Sequence, residues 1–297
     1  MKLSIIIVSY NTKNFIKKCL NSIYETIDKN KISFEVIVID NDSEDDSAEM
    51  VAKEFSQILL IDNRENIGFS KANNQGIKKA KGDYLFFLNP DTELKENSLA
   101  TLIEFLEDHG EAGAVTSRVE LPNGVLDDAS HRGFPTPWNS LCYFLGLSNL
   151  FPKIPLFSGY TMGFKDLRTI HEIDACAGAV MLVRWKAGEE VGWWDEDFFW
   201  YGEDLDFCYR LKKKGWKIYF VPTVLVVHYK GVSGGIKNIS KDISSATRET
   251  KIRSTQARFN AMRIFYNKHY KKQYPPIMSF FVLKSISAFK KIKLLTI

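Results

Sequence analysis

Two acidic stretches and one histidine hold the residues best suited to chemistry in this 297-residue chain. Asn89-Pro90-Asp91-Thr92 closes the apolar run from Tyr84 to Leu88. A carboxylate such as Asp91 at a strand end, near other acidic loops, can hold Mg²⁺ or Mn²⁺, which take oxygen ligands and bridge to phosphates. A departing diphosphate needs that compensation, because negative charge develops on its oxygens. In the second stretch, Phe198-Phe199-Trp200-Tyr201-Gly202-Glu203-Asp204-Leu205-Asp206-Phe207, Gly202 breaks an aromatic run and three carboxylates arrive where a helix starts. The positive helix end favours an anionic side chain on its first turn, where Asp204 falls. Beside an aromatic wall of Trp200 and Tyr201, a carboxylate can accept the proton of a sugar hydroxyl. His228 in Leu225-Val226-Val227-His228-Tyr229 is the third candidate, placed at a pocket rim by the glycine loop after it. Each candidate has a plainer reading: a turn and helix cap for 89–92, ordinary acidic helix-start residues for 203–206, a satisfied core histidine at 228. Asp206 is expected to pair with Arg210 four residues on.

The elements that must position these groups alternate. Leu3 to Val8, Phe34 to Asp40, Ile58 to Ile61, Tyr84 to Leu88 and Gly113 to Val119 read as strands. Helices are expected over about Thr12 to Ile27, from near Asp45, over Ser70 to Ala80 and over Lys95 to Asp108. Such βαβα order argues for an α/β fold, a mostly parallel central sheet flanked by helices. Strands one to four end in polar clusters, Ser9-Tyr10-Asn11, Asp40-Asn41-Asp42, Asp62-Asn63 and Asn89-Pro90-Asp91, and in a parallel sheet these converge on one edge. From Pro122 to His171 the alternation fails in an aromatic-rich, Pro- and Gly-punctuated insertion. It resumes with a strand at Ala177 to Val183, a helix from Glu203 to Lys214 and strands at Lys217–Val221 and Leu225–Tyr229. Gly231 to Ser245 reads as a mobile lid. A long helix from Ser244 to Tyr270 and an apolar, lysine-bearing segment from Ile277 to Ile297 complete the chain. The organisation expected is a catalytic unit over 1–240, with a nucleotide-binding half (1–120) and an acceptor half (121–240), followed by a basic helical extension over 241–297.

Composition narrows the functional classes. From Lys251 onward there are 11 Lys or Arg and no Asp or Glu, on a body of net charge −7. That asymmetry suggests contact with a polyanionic surface, and the 277–297 pattern suits a helix lying in a membrane interface. The competing roles are a solvated basic helix, docking on a partner, or a homodimer contact; nucleic acid is not among the partners expected. Cys19, Cys142, Cys176 and Cys208 form no CxxC pair, which fits a reduced cytosolic protein without structural zinc. No stretch reaches 18 apolar residues, and the first apolar run leads into Ser9-Tyr10-Asn11 instead of a cleavage site, so neither a simple membrane span nor a signal peptide is expected. GxGxxG and GxxxxGK[ST] are both absent, which removes most of the weight from dehydrogenase and P-loop kinase readings.

Seven short motifs occur in a familiar order: Val8-Ser9-Tyr10-Asn11, Val38 to Ser43, Asn66-Ile67-Gly68-Phe69 through Asn74, Leu88 to Asp91, Gly178-Ala179-Val180-Met181, Tyr201 to Asp204, and His228 to Ser233. In that series the chain resembles family 2 glycosyltransferases, over about Lys2 to Ser233. The resemblance implies the GT-A fold and an inverting transfer from a nucleotide-diphospho-sugar. It implies Ser9, Tyr10, Asn11 and Asp40 at the base and ribose, and Asn66, Gly68 and Asn74 in the donor loop. Asn89 and Asp91 would meet the diphosphate, with Asp91 and His228 holding Mg²⁺ or Mn²⁺. Asp204 would be the general base, with Glu203, Trp200, Tyr201 and Gly178 contacting a saccharide or lipid-linked acceptor. Many members carry Asp-x-Asp where this chain has Asn89-Pro90-Asp91, a form similar to the rhamnosyltransferase branch, with dTDP-rhamnose as the donor implied. The readings weighed against it are a non-catalytic carbohydrate-binding or scaffold member, and a sugar nucleotidyltransferase, which would be expected to carry a glycine- and basic-rich loop after the first strand.

Overall fold

The computed structural model describes the chain except residues 29–30, 96–97, 232–234 and 236–245. Apart from Gly231 and Gly235, the lid expected at Gly231 to Ser245 therefore lies outside the described residues. The first half runs β1 (Leu3–Ser9), α1 (Lys13–Thr26), β2 (Phe34–Asn41), α2 (Ser47–Glu54), β3 (Leu59–Asn63), α3 (Phe69–Ile77), β4 (Tyr84–Leu88), β5 (Thr92–Leu94), α4 (Ser98–Asp108) and β6 (Ala112–Glu120). The insertion supplies α5 (Pro137–Phe144), α6 (Leu147–Leu150), α7 (Pro155–Ser158) and β7 (His171–Ile173). Then follow β8 (Val180–Arg184), α8 (Trp185–Val191), α9 (Glu203–Lys213), β9 (Lys217–His228) and α10 (Arg248–Phe265). A π-helical turn at Tyr266–Tyr270 leads on to α11 (Pro276–Leu295).

Among the described residues the strands form one sheet in the order β3-β2-β1-β4-β8-β6-β9-β5, with β7 also on β9. Six strands share one direction, while β5, β7 and β8 run against it. The mostly parallel α/β sheet read from the sequence is the sheet observed. Alternation alone did not signal that β8, between β4 and β6, is antiparallel to both. That reversal needs no crossover helix, because the chain re-enters the sheet straight from the insertion. β1 is buried on both faces: Leu3, Ile5 and Ile7 pack with α1 and α4, whereas Ile6 and Val8 join a layer containing Trp194 and Phe207. Each such aliphatic side chain contributes about 1.5–3 kcal/mol on burial.

Two irregularities place the site. Pro90 ends β4, but the chain then forms the three-residue β5, which pairs antiparallel to the end of β9 with Thr92 opposite His228. The sequence suggests only a turn and helix cap there, leading into a helix from about Lys95. The two strands expected around Pro222 are one strand, β9, whose extra residues 222–224 are absorbed by a register shift against β6. A proline is tolerated at such a bulge because no ladder hydrogen bond is lost there. Beyond the sheet, Phe198, Ala261, Phe265, Tyr266 and Tyr270 form a third apolar cluster that holds the carboxyl-terminal helices against α9. Under it the buried Asp206 takes the expected bond from Arg210 Nε (2.7 Å) and a further one with His269 Nε2 (2.6 Å) from the π-helical turn.

Candidate active site

Asp91 and His228 meet because of β5. The backbone N–H of Asn89 donates to Ala179 O (2.9 Å) and that of Tyr229 to Asp91 O (2.9 Å), so the 89–92 turn is fixed to both neighbours. Asp91 and His228 are buried, 6% and 5% exposed. His228 Nδ1 is 2.8 Å from Asp127 Oδ2, and its Nε2 is 3.2 Å from Asp91 Oδ1 without a well-directed hydrogen bond. Lys230 bonds Asp127 and lies 2.5 Å from Asp128 Oδ1. Burial by itself would lower the His228 pKa, but the charge of Asp91 and the bond to Asp127 push it up to about 9. Burial would likewise raise Asp127, and His228 with Lys230 instead holds it well below the usual carboxylate range. An imidazole whose Nδ1 is held by a carboxylate, and whose orphaned Nε2 faces a second carboxylate, has the arrangement of a metal-ligating histidine with its supporting partner. Asp91 and His228 are two donors of the kind that could hold a divalent cation, although among the described residues no group of three such side chains comes together. Diphosphate oxygens and water would complete the shell, as is usual for Mg²⁺.

The start of α9 lines the same cavity. Gly202 takes φ +81 at the helix N-cap, where a Cβ would come within 3.1 Å of Ala261 Cβ. Asp204 Oδ2 accepts from Arg132 NH2 at 2.5 Å, and its Oδ1 accepts from Leu205 N at 2.7 Å. Arg132 arrives from the insertion, bridged through its backbone to Ala175. Glu203 is buried, and its Oε2 and the Arg132 Nε have no hydrogen-bond partner among the described residues. Burial, then the neighbouring Asp204 charge, pushes Glu203 up to about 8. Glu203 is thus protonated near neutrality and can donate a hydrogen bond. Trp200 and Tyr201 stack with ring centroids 5.1 Å apart, and Tyr201 holds a left-handed φ of 69, which is costly away from glycine. Such strain persists where the surroundings over-determine it, commonly at functional sites.

Asp91, His228, Glu203, Asp204, Trp200, Tyr201, Gly178 and Asn89 line one cavity of about 1000 Å³, together with Tyr10, Asn66 and Gly68. Gly178 leaves room for Trp194, whose Cη2 would be 3.1 Å from an added Cβ. Ser9, Asn11, Asp40 and Asn74 are not on that wall. Ser9 Oγ bonds Thr12 Oγ1 (2.9 Å), and Asp40 accepts from Ser43 N and Oγ (both 2.8 Å). Asn11 Oδ1 accepts from Glu44 N (2.7 Å), stitching the first two strand-end loops together. Asn74 bridges to the 194–196 loop by donating to Trp194 O and Glu196 Oε1 (both 2.9 Å). Sequence reasoning missed Asp127, Arg132 and Arg258, which also line the cavity, as does Asn41 of the second strand-end cluster. The adjacent acids Asp127-Asp128 in the aromatic-rich insertion were the one signal available; Arg132 offered none beyond its charge.

Comparison with known proteins gives the same assignment. The family model described as glycosyl transferase family 2 matches residues 4–167, more than half of the chain. The chain is 30% identical over 233 residues to the rhamnosyltransferase WbbL of Escherichia coli K12, covering 76% of this chain and 82% of that protein. It is 26% identical over 214 residues to the N-acetylglucosaminyl-diphospho-decaprenol L-rhamnosyltransferase of Mycobacterium tuberculosis, covering 67% and 68%. The crystal structure of GalNAc-T7 with UDP, GalNAc and Mn²⁺ superposes with a TM-score of 0.58 at 18% identity, over 98% of this chain and 54% of that one. That likeness makes the fold GT-A, as the motif order implied. The chain belongs to glycosyl transferase family 2, and it is a glycosyltransferase.

Proposed function

We propose that the chain moves a hexose, with inversion at the anomeric carbon, from a nucleotide-diphospho-sugar to a hydroxyl of a saccharide or lipid-linked saccharide in surface-polysaccharide synthesis. L-Rhamnose from dTDP-rhamnose is the donor we favour. The single observation that carries the transfer is that the Asp91–His228 pair and the Glu203–Asp204 pair line one and the same cavity. The rhamnose reading draws on the names of the two relatives and on Asn89-Pro90-Asp91.

In this reading Asp40 faces the base and Ser9, Tyr10 and Asn11 line base and ribose. Asn66, Gly68 and Asn74 shape the donor loop, and Asn89 with Asp91 meets the diphosphate. A divalent cation on Asp91 and His228 would offset the charge that develops on the leaving diphosphate. Asp204 removes the acceptor proton. Arg132 and Leu205 N fix the carboxylate but occupy only two of its roughly four lone-pair sites. Protonated Glu203 donates to a second acceptor oxygen, while Trp200, Tyr201 and Gly178 hold the sugar face. The catalytic unit spans 1–240 in two halves, split near residue 120, with 241–297 as an extension. The chain works in the cytoplasm, with α11 resting on the inner face of the membrane. Among the described residues no helix is long and apolar enough to cross a membrane.

Asp204→Asn tests the reading. Turnover should drop about 10²–10⁴-fold, the usual share of a general base, while nucleotide binding persists. Normal turnover by that variant would remove Asp204 from the role. Screening nucleotide sugars for thermal stabilisation, with and without Mn²⁺, identifies the donor; a panel in which dTDP-rhamnose is inert would overturn the rhamnose assignment.

A further inference from the structure

Most of the large apolar side chains that stand exposed among the described residues lie in two segments, 138–156 of the insertion and 277–295 of α11. In the insertion, Leu141, Phe144, Leu145, Leu150, Ile154 and Leu156 face water, with Leu145 65% and Leu150 68% exposed. They do not belong to a loose loop. α5, α6 and α7 pack on one another, Trp138 Nε1 donates to Leu156 O (2.8 Å), and Ser148 Oγ donates to Phe157 O (2.9 Å). Cys142, Ser148 and Ser158 are buried while the leucines beside them are exposed, the reverse of the order that an aqueous surface favours. The Phe144 and Phe289 rings stack 5.1 Å apart at 15°, so the apolar set of the insertion and that of α11 meet. Leu141 and Phe144, with Phe281 and Phe289, also wall one arm of the cavity. Contiguous exposed apolar surface of this kind marks an interaction site.

We propose that α5, α6 and α7 join α11 in a platform that inserts into the anionic face of a bilayer, the insertion supplying the apolar anchor and α11 most of the charge. The proposal rests on the membrane contact given above to α11 alone and extends it to a second segment. Charge selects the partner. No Asp or Glu occurs in 129–165 or in 251–297. Lys153 stands exposed among the apolar side chains of the insertion, and Lys284, Lys291 and Lys293 among those of α11. Lys284 Nζ lies 5.6 Å from the centroid of the Phe280 ring, a charged tip on a stem that runs along an apolar neighbour, as suits an interface. An acid-free apolar face edged by lysines complements the phosphates of an anionic leaflet. A second copy of the chain would meet it badly: a twofold contact through this face sets lysines against lysines with no carboxylate on either side. Apolar insertion and surface charge are two signals, and stable attachment takes two.

The test uses the full chain with vesicles of phosphatidylcholine, alone or mixed equally with phosphatidylglycerol. Leu150 and Leu156 lie outside the cavity wall, so changing them spares the site. Leu150→Glu combined with Leu156→Glu should weaken sedimentation with the mixed vesicles at least tenfold although α11 is whole, because binding follows buried apolar area. Thermal melting confirms that the double variant is folded; Leu150→Ser with Leu156→Ser replaces it if it is not. The four native cysteines are buried, so Leu150→Cys can be labelled selectively with an environment-sensitive fluorophore. Its emission should shift to the blue on the mixed vesicles and be quenched by lipids that carry a nitroxide on the acyl chain. Undiminished sedimentation of the double variant, or a label that stays in water while the protein sediments, overturns the platform and leaves α11 as the sole contact. Failure of the full chain to bind either kind of vesicle overturns the platform and the α11 contact together. A dimer in sedimentation velocity that the charged variant disperses, and that vesicles do not compete with, overturns the proposal in favour of a second copy.

Discussion

In the proposed mechanism two pairs of residues set the chemistry, and each is held by a partner absent from the recognisable motifs. His228 can present Nε2 to a cation because Asp127 holds its Nδ1 at 2.8 Å. Asp127→Asn keeps the shape but weakens that orientation, so Mn²⁺ affinity should fall about 10–100-fold. Titration of Mn²⁺ by its paramagnetic signal measures this directly, and unchanged affinity would remove Asp127 from the support. Glu203 gives a pH prediction. Its pKa moves from an ordinary 4.5 up to about 8, so between those values the native state binds more protons than the unfolded chain. Stability should therefore fall as pH rises from about 4.5 to about 8 and level off above. Glu203→Gln should flatten that fall, read as thermal midpoint against pH for both proteins; parallel curves would contradict the assignment.

Between elements, small backbone features decide which loops face each other. Phe69 N donates to Phe199 O at 2.8 Å, and Gly68, at φ +87, leaves no room for a Cβ, which would lie 2.7 Å from Phe199 O and Cδ2. This contact joins the 66–69 loop to the aromatic run at 198–201. Gly68→Ala should cost about 1–3 kcal/mol through backbone strain and collision. Urea unfolding measures the loss, and an unchanged midpoint would show that the loop adapts. The shape of α9 was readable beforehand, as were its acidic start and the Asp206–Arg210 pair four residues apart. The bond from His269 was not, since it depends on a π-helical turn 63 residues downstream. Short β5 escaped as well: three residues carry too little periodicity to announce a strand, and only pairing with β9 stabilises them.

For the whole molecule, the uneven charge of the chain becomes a spatial division. Asp91, Asp127, Asp128, Glu203 and Asp204 line the cavity, whereas α11 carries Lys284, Lys290, Lys291 and Lys293 among exposed Phe280, Ile292 and Leu295. Removing residues 276–297 should abolish sedimentation with phosphatidylglycerol vesicles, and raising salt should weaken binding by the intact chain, because surface charge is screened. Equal sedimentation of truncated and intact protein would leave α11 as a wall of the cavity only.

The sequence by itself determined the alternating strands, the edge on which their polar ends converge, the acids at 91 and 204, and the family, because each is local: an apolar run, a helix start, a motif in order. Only the tertiary structure decided that Asp127 supports His228, that Arg132 holds Asp204, and that a helix near the chain's end walls the same cavity as a helix of the insertion. Those partnerships join residues 72 to about 145 positions apart, between a buried charge and the group that compensates it or between facing apolar sides. Nothing in the spacing of residues records such pairings; only burial, which makes an unpaired charge too costly to keep, selects them.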